Sequence, residues 1–317
     1  MLAPTGGRVA GAAVRAFEVS ANPIQIQLQK MMPAILGGSS GPSARTEEDG
    51  SFQIDHLPEG KILLTAAHPD FAPADEVEIL LGQDEVRDRI QLRLRRPGAI
   101  RVQVREKEKP RPGLMVQLMG SGPMKMGSTA PDGTAVFSGV GPGEYLVQVM
   151  DLASMASGQG LGGMRQRAVK LAEGQAAEVE FIYGVGAKVH GKVTGALPGP
   201  MAIVVLRRPD APPSEEVNPG DFTAAIRSAE HQVGMGFIQK DGSYSIDDVP
   251  DGEFTVEVPW MPVDWLKAAA TPPEERRPLY REKLKVEGGK DLEWNIAADP
   301  RKEKADPGAD SPPRGER

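Results

Sequence analysis

Apolar and polar residues alternate through much of the chain, and the alternation is punctuated by glycine and proline. In KDGSYSIDDVPDGEFTVEV (residues 240–258), Tyr244 and Ile246, then Phe254, Val256 and Val258, take every second position. Side chains on a strand point to opposite faces with period two, so each run presents one apolar face. Asp241-Gly242 and Asp251-Gly252 are turn dipeptides, because Asp and Gly tolerate the positive φ of tight hairpins. Val249-Pro250 interrupts the ladder, since proline has no N–H to donate and holds its predecessor out of the helical region. The stretch predicts a turn, a strand, a proline loop, a glycine and a second strand.

The same order of signals recurs in EDGSFQIDHLPEGKILLTA from Glu48 and in PDGTAVFSGVGPGEYLVQV from Pro131. An Asp and a later Gly stand eleven residues apart in all three copies, as Asp49/Gly60, Asp132/Gly143 and Asp241/Gly252. Each copy continues into another turn and another alternating run: LLGQDEVRDRIQLRL, LAEGQAAEVEFIYG and VEGGKDLEWNIA. Upstream of the second and third copies lie opening strands at Ala99–Val104 and Ala187–Thr194, each followed by a Pro/Gly turn. Successive copies begin roughly 80 to 110 residues apart, a domain-sized spacing rather than a solenoid repeat.

Composition agrees with an all-β chain of short strands. Glycine (37) and proline (29) make up about a fifth of the 317 residues, and long runs of helical period are nearly absent. The 37 basic and 44 acidic residues give a net charge of −7 with no basic cluster, which argues against a nucleic-acid partner. No apolar run approaches the length of a membrane span. With no cysteine there is neither a disulfide nor a thiolate metal site, so cysteine usage says nothing about compartment.

The string TEEDGSFQIDHLPEG (Thr46–Gly60) resembles the carboxypeptidase regulatory-like domain, whose pattern runs T-x-x-D-G-x-F-x-I-x-x-L-P-x-G. GGRVAGAAVRAFE (Gly6–Glu18) is similar to that family's opening pattern G-x-P-V-x-G-A-x-V-x, with Arg8 where proline is usual. KDGSYSIDDVPDG follows the pattern well; PDGTAVFSGVGPG follows it less well, with Gly141 in the proline position and proline at 142. The resemblance covers about residues 1–298 and implies a seven-stranded, transthyretin-like β-sandwich, grouped with the carbohydrate-binding-like folds. It also implies a non-catalytic passenger of extracellular or cell-envelope bacterial proteins. The expectation is therefore three tandem Greek-key β-sandwich domains at residues 1–97, 98–185 and 186–298, followed by a charged, Pro/Gly-rich tail at 299–317 expected to be disordered.

Only Met1-Leu2-Ala3 precedes the first copy's Pro/Gly turn, so its first strand is expected to be missing, leaving an unpaired sheet edge. The simplest reading is that Met1 is an internal start. Insertions fall at Val19–Ser43, Asp151–Arg167, Arg207–Val233 and Trp260–Glu282. Within them, Asp221 is a plausible N-cap for three helical turns, and Val263–Ala270 has room for two.

Several motif matches carry less chemistry than their form suggests. Gly37–Gly41 fits G-x-S-x-G around Ser39, but Pro42 follows without the helix that a nucleophile elbow needs. Gly158–Gly163 fits G-x-G-x-x-G, yet a strand-like run follows where a phosphate site requires a helix N-terminus. His56 and Glu59 have the H-x-x-E spacing of zinc ligands, but the same positions hold Gly139/Pro142 and Asp248/Asp251 in the other copies. They read as loop residues around a fixed glycine. Asp49, Asp132 and Asp241 read as turn residues rather than calcium ligands, and Met115, Met119, Met124 and Met126 as core filler rather than a copper site. No catalytic residue, metal or cofactor is predicted.

Aromatic residues are the remaining candidate. Trp260 and Trp265 lie in one insertion with Tyr280 nearby, a set able to stack on a sugar ring or to pin a long loop onto its own sandwich. Taken together, these features predict a non-enzymatic structural, adhesive or interaction segment of a secreted or envelope protein, with a polysaccharide or an envelope protein as partner. The alternatives are carbohydrate binding through the third copy and an accessory segment of a larger enzyme.

Overall fold

The computed structural model describes residues 1–19, 42–152, 164–195, 202–217, 221–260 and 271–298. The Ser39 and Gly158–Gly163 motifs, Trp265, the Val263–Ala270 segment and the 299–317 tail lie outside these residues.

The chain is a multi-domain β-sandwich. In the first copy, β1 (Ala13–Glu18), β2 (Ser43–Arg45), β3 (Gly60–Ala67) and β4 (Val77–Leu81) form an antiparallel sheet in the order β2-β1-β3-β4. The second copy contributes β5 (Gly98–Glu106), the short β6 (Lys109–Pro110), β7 (Met115–Gly120), β8 (Lys125–Ser128), β9 (Thr134–Val140), β10 (Gly143–Met150), β11 (Arg165–Leu171) and β12 (Ala176–Tyr183). One of its sheets runs β11-β10-β7-β8; in the other, β5 pairs antiparallel with β9 and parallel with β12. The third copy repeats this plan with β13 (Ala187–Thr194), β14 (Ile203–Arg207), β15 (Gln232–Phe237), β16 (Ser243–Val249), β17 (Gly252–Val258), β18 (Tyr280–Val286), β19 (Leu292–Glu293) and β20 (Ile296–Ala297). Its sheets are β15-β14-β17-β18, and β13 between antiparallel β16 and parallel β19 and β20.

Each copy encloses its own apolar cluster, built from the alternating positions. Phe137 and Tyr145 are buried in the second, and Tyr244, Ile246, Phe254 and Val256 in the third. In the first, Phe52 and Ile54 are only half-buried.

That difference corrects one expectation. The opening strand is not an edge: β5 and β13 are the central strands of their sheets, so losing one strips the partner from two neighbours at once. In the first copy no full strand forms there. Met1–Ala3 stands in its place as a stub, with the Leu2 N–H donating to the Leu92 carbonyl at 2.9 Å and the Leu94 N–H to the Leu2 carbonyl at 2.9 Å. The flanking segments at Ser51–Leu57 and Val86–Ile90, strands in the other copies, adopt no strand geometry here. The Met1 amino group donates to the Gly50 carbonyl at 2.6 Å, where the N–H groups of Val104 and Val193 donate to Gly133 and Gly242 at 2.8 Å each. Met1 therefore stands in register with Val104 and Val193.

Candidate functional site

The shared motif is explained by local hydrogen bonding. The Asp49 carboxylate accepts from the Ser51 N–H at 2.8 Å, Asp132 from Thr134 at 2.9 Å, and Asp241 from Ser243 at 3.0 Å. Bonds from the side chains and backbone of Ser51, Thr134 and Ser243 hold these three carboxyls below the usual carboxylate range. Gly50, Gly133 and Gly242 follow at φ between 76° and 80°, a left-handed turn that glycine adopts without strain. Thr46 and Thr129 are buried and bridge the chain: Thr46 Oγ1 donates to the Val9 carbonyl at 2.8 Å and Thr129 Oγ1 to the Arg111 carbonyl at 2.8 Å. His56 is exposed at φ 60°, in the position that Gly139 (φ 64°) and Asp248 (φ 59°) fill in the other copies. The position takes a left-handed residue, which accounts for its variable chemistry.

Of the aromatic set, Trp260 and Tyr280 lie within the described residues and Trp265 outside them. Tyr280 packs against the third core, and its hydroxyl accepts from Trp294 Nε1 at 3.1 Å. The Tyr244 hydroxyl donates to the Trp294 carbonyl at 2.7 Å. Trp260 is half-buried. Tyr280 thus joins Trp294 and Tyr244 in a hydrogen-bonded cluster on the core edge, which holds its ring in place.

The insertions of the third copy build a buried ion network that its alternation pattern did not reveal. Glu257, on β17, lies under these insertions between Arg207 (3.5 Å) and Arg281 (2.7 Å), with Glu257 and Arg207 both about 95% buried. Arg281 also binds Glu215 at 3.0 and 2.5 Å, which drives the arginine pKa up and the Glu215 carboxyl down. Arg276 donates to the Val217 carbonyl at 2.6 Å, joining the two insertions, and Arg207 donates to Ser228 Oγ at 3.1 Å. Ser228 belongs to α1 (Phe222–Glu230), whose Asp221 cap accepts from the Ala224 N–H at 3.0 Å, as the sequence predicts. The available signal was a charged residue in mid-strand, Glu257, with arginines such as Arg207 and Arg281 in the neighbouring insertions.

Fixed in this way, α1 reaches the second copy. Ile226 and Ala229 bury against Leu146, with Met119 and Ala168 at the margin. Met119 therefore packs between copies on the outer face of β7 rather than in a core; Val116 and Leu118 supply the inner face. Beside this patch, Arg165 binds the Asp248 carboxylate at 2.6 Å and the Asp247 carbonyl at 2.7 Å, and Gln166 donates to Gln232 at 2.8 Å. Arg111 and Arg165 both lie over the Tyr183 ring, at 4.6 and 5.3 Å, and burial pushes the Tyr183 hydroxyl pKa up to about 12.

Contacts between the first and second copies are more open. Arg95 Nη1 meets Glu173 Oε2 at 3.1 Å, the Arg96 N–H donates to Glu173 Oε1 at 3.0 Å, and Arg95 also pairs with Asp75. Between His68 and Phe71 on one side and Gly139 and Tyr145 on the other lies a void of about 230 Å³.

A cleft of about 1010 Å³ opens in the first copy. Phe52 and Ile54 form one wall, Arg87 and Ile90 the other, and Leu64 and Leu81 the floor.

No family model and no curated protein matches the chain. Among solved structures it is similar to the Bacillus anthracis TIE protein, at 11% identity and a TM-score of 0.23, over 94% of this chain and 50% of that one. It is also similar to GBS52, the minor pilin of Streptococcus agalactiae (12% identity, TM-score 0.24, 64% of this chain and 95% of that one). A streptococcal ancillary pilin aligns at 11% identity and a TM-score of 0.21, over 90% of this chain and 92% of that one. The chain spans about half the length of the TIE protein. Likenesses at this level leave function to be argued from the chain itself.

Proposed function

We propose that the chain is a non-enzymatic structural segment: three carboxypeptidase regulatory-like β-sandwich units, at residues 1–97, 98–185 and 186–298, that hold and space other parts of a secreted or cell-envelope bacterial protein. The observation that carries this reading is the use made of the third copy's insertion. Its helix and buried ion network lock the third copy onto the second, so the loop positions where a ligand site is expected serve a junction instead. Burying Ile226 alone contributes on the order of 2 kcal/mol, and the Arg165–Asp248 pair gains strength from its partial exclusion from water. A segment that resists bending or pulling needs joints of this kind.

Stretching single molecules between the two termini tests the reading. The second and third copies are expected to yield together in one event, and Ile226→Asp is expected to split that event in two. Two independent low-force events in the unaltered chain would contradict a mechanical role.

A further inference from the structure

The outer face of the β11-β10-β7-β8 sheet carries methionine where an antiparallel sandwich ordinarily turns polar residues to water. Alternation along β7 buries Val116 and Leu118 and turns Met115, Gln117 and Met119 to the outer face. Along β10 it buries Val147 and Val149 and turns Leu146, Gln148 and Met150 the same way. Strand register sets these side chains in rows. Met119 stands opposite Leu146, and Leu146 opposite Ala168, in the row that α1 covers. In the next row Gln117 stands opposite Gln148, which donates to Gln166 at 3.2 Å. In the third, Met115 stands opposite Met150. Val149 pairs with Arg165, so one residue further along the two strands Met164 comes beside Met150.

Burial under α1 accounts for Met119 but not for the row of three. Met115, Met150 and Met164 are half-buried and belong to none of the apolar clusters among the described residues. Neighbouring strands lie about 4.8 Å apart, so the outer two methionines stand about 10 Å apart with Met150 between them, and flexible thioethers have the reach to converge above the middle strand. Their surroundings are neutral. Ser128 faces Met115 across β8, and the adjoining row is Gln117, Gln148 and Gln166. Asp151 is bound to Arg111 at 2.7 Å and Arg165 to Asp248 at 2.6 Å, so the charges beside the row are already paired. Among the described residues no group of three or more His, Cys, Asp or Glu could hold a metal ion. Calcium and zinc therefore find no ligand set there, whereas thioethers suit a soft monovalent cation.

We propose that Met115, Met150 and Met164 form a three-thioether site for a soft monovalent cation of the Cu(I) class. Each ligand comes from a different, adjacent strand, so folding of the second copy assembles the set. The run Met115, Met119, Met124 and Met126 that stands out in the sequence is not this set. Met119 lies under α1, Met126 is exposed on the edge strand, and Met124 Sδ accepts from Gln117 Nε2 at 2.7 Å. Binding involves no electron transfer, and the site stands independently of the mechanical reading of the junctions.

The test titrates the full chain with Ag(I), a redox-inert cation of the same charge and softness, in chloride-free buffer. The readout is the NMR signal of each labelled methionine methyl group, assigned with single leucine substitutions. A single equivalent is expected to shift the Met115, Met150 and Met164 methyls and to leave that of Met119 in place. Met150→Leu is expected to weaken binding by at least about tenfold, the scale on which even the outer partners of metal ligands act. Its Tm should stay within about a degree, because leucine replaces methionine at nearly constant volume. Met119→Leu should leave the affinity unchanged, and calcium or zinc at the same concentration should not move the three methyls. Shifts confined to Met124 and Met126 would overturn the proposal. So would an affinity that Met150→Leu does not change, or the absence of any methyl shift in the unaltered chain.

Discussion

The first and second copies share one turn grammar and differ by about six residues of strand, and the consequences reach far beyond those residues. Gly50 and Gly133 turn alike, Thr46 and Thr129 bridge alike, and β2-β1-β3-β4 repeats the order β8-β7-β10-β11. Yet the second sheet of the first copy is reduced to the pairing of Leu2 with Arg93 and Arg8. A central strand completes two ladders and covers the core between two sheets, so shortening it opens both neighbours and the apolar face beneath them. The lesson is that position within the sheet, more than sequence match, sets what a strand contributes.

The sharpest way to break this comparison is to truncate the same position in both copies. Phe137→Ala should cost about 3–5 kcal/mol, because the ring fills a closed core. Ile54→Ala should cost about 1 kcal/mol, since its side chain is already half in water. Chemical denaturation followed copy by copy measures both. Equal losses would mean that the first core is as closed as the second.

The junctions differ in the same sense. Arg165 and Asp248 keep 14% and 12% of their side-chain surface exposed, against 35% for both Arg95 and Glu173. Arg165→Ala leaves a largely buried carboxylate unpaired and is expected to cost about 2–3 kcal/mol and to uncouple the second and third copies. Arg95→Ala should cost about 1 kcal/mol or less, as exposed pairs do. Thermal unfolding of the two variants, monitored at each copy, provides the comparison.

Much of this was legible in the residues. Period-two alternation located the strands of the second and third copies, the Asp-Gly steps located their turns, and Asp221 marked the start of α1. What escaped was non-local. Pairing order is not encoded in any one strand's alternation, so the central place of β5 and β13 could not be read from their sequences. Glu257 looked like an outward polar position, and only the folding of distant insertions over it makes it buried. Met119 was assigned to a core because methionine packs flexibly, but its strand parity puts it on the outer face, where another copy covers it. Of the aromatic set, Tyr280 is held in a cluster with Trp294 and Tyr244 whose bonds cross 14 and 50 residues of sequence.

Smaller effects refine the comparison. His56→Gly should stabilise the first copy by up to about 1 kcal/mol by relieving a left-handed residue, while Gly139→Ala should destabilise the second by a similar amount. Trp260→Ala is expected to lower Tm by a few degrees without loss of retention on polysaccharide columns, since its ring is half-buried against the protein; lost retention with unchanged Tm would instead establish a sugar platform. The smallest effect is with acid. Asp49, Asp132 and Asp241 have native pKa values below 3.8, so their stabilising contribution is present above that value and is lost as pH falls through the native pKa. All three turns should weaken alike below about pH 4, measured by denaturation at successive pH values, because the turn is common to every copy.

Differential scanning calorimetry of the intact chain tests the central claim most directly. Two transitions are predicted: a lower one for the open first copy, and a higher, single one in which the second and third copies unfold together through their shared helix and Arg165 joint. Three separate transitions, or a first copy that melts with the others, would contradict it.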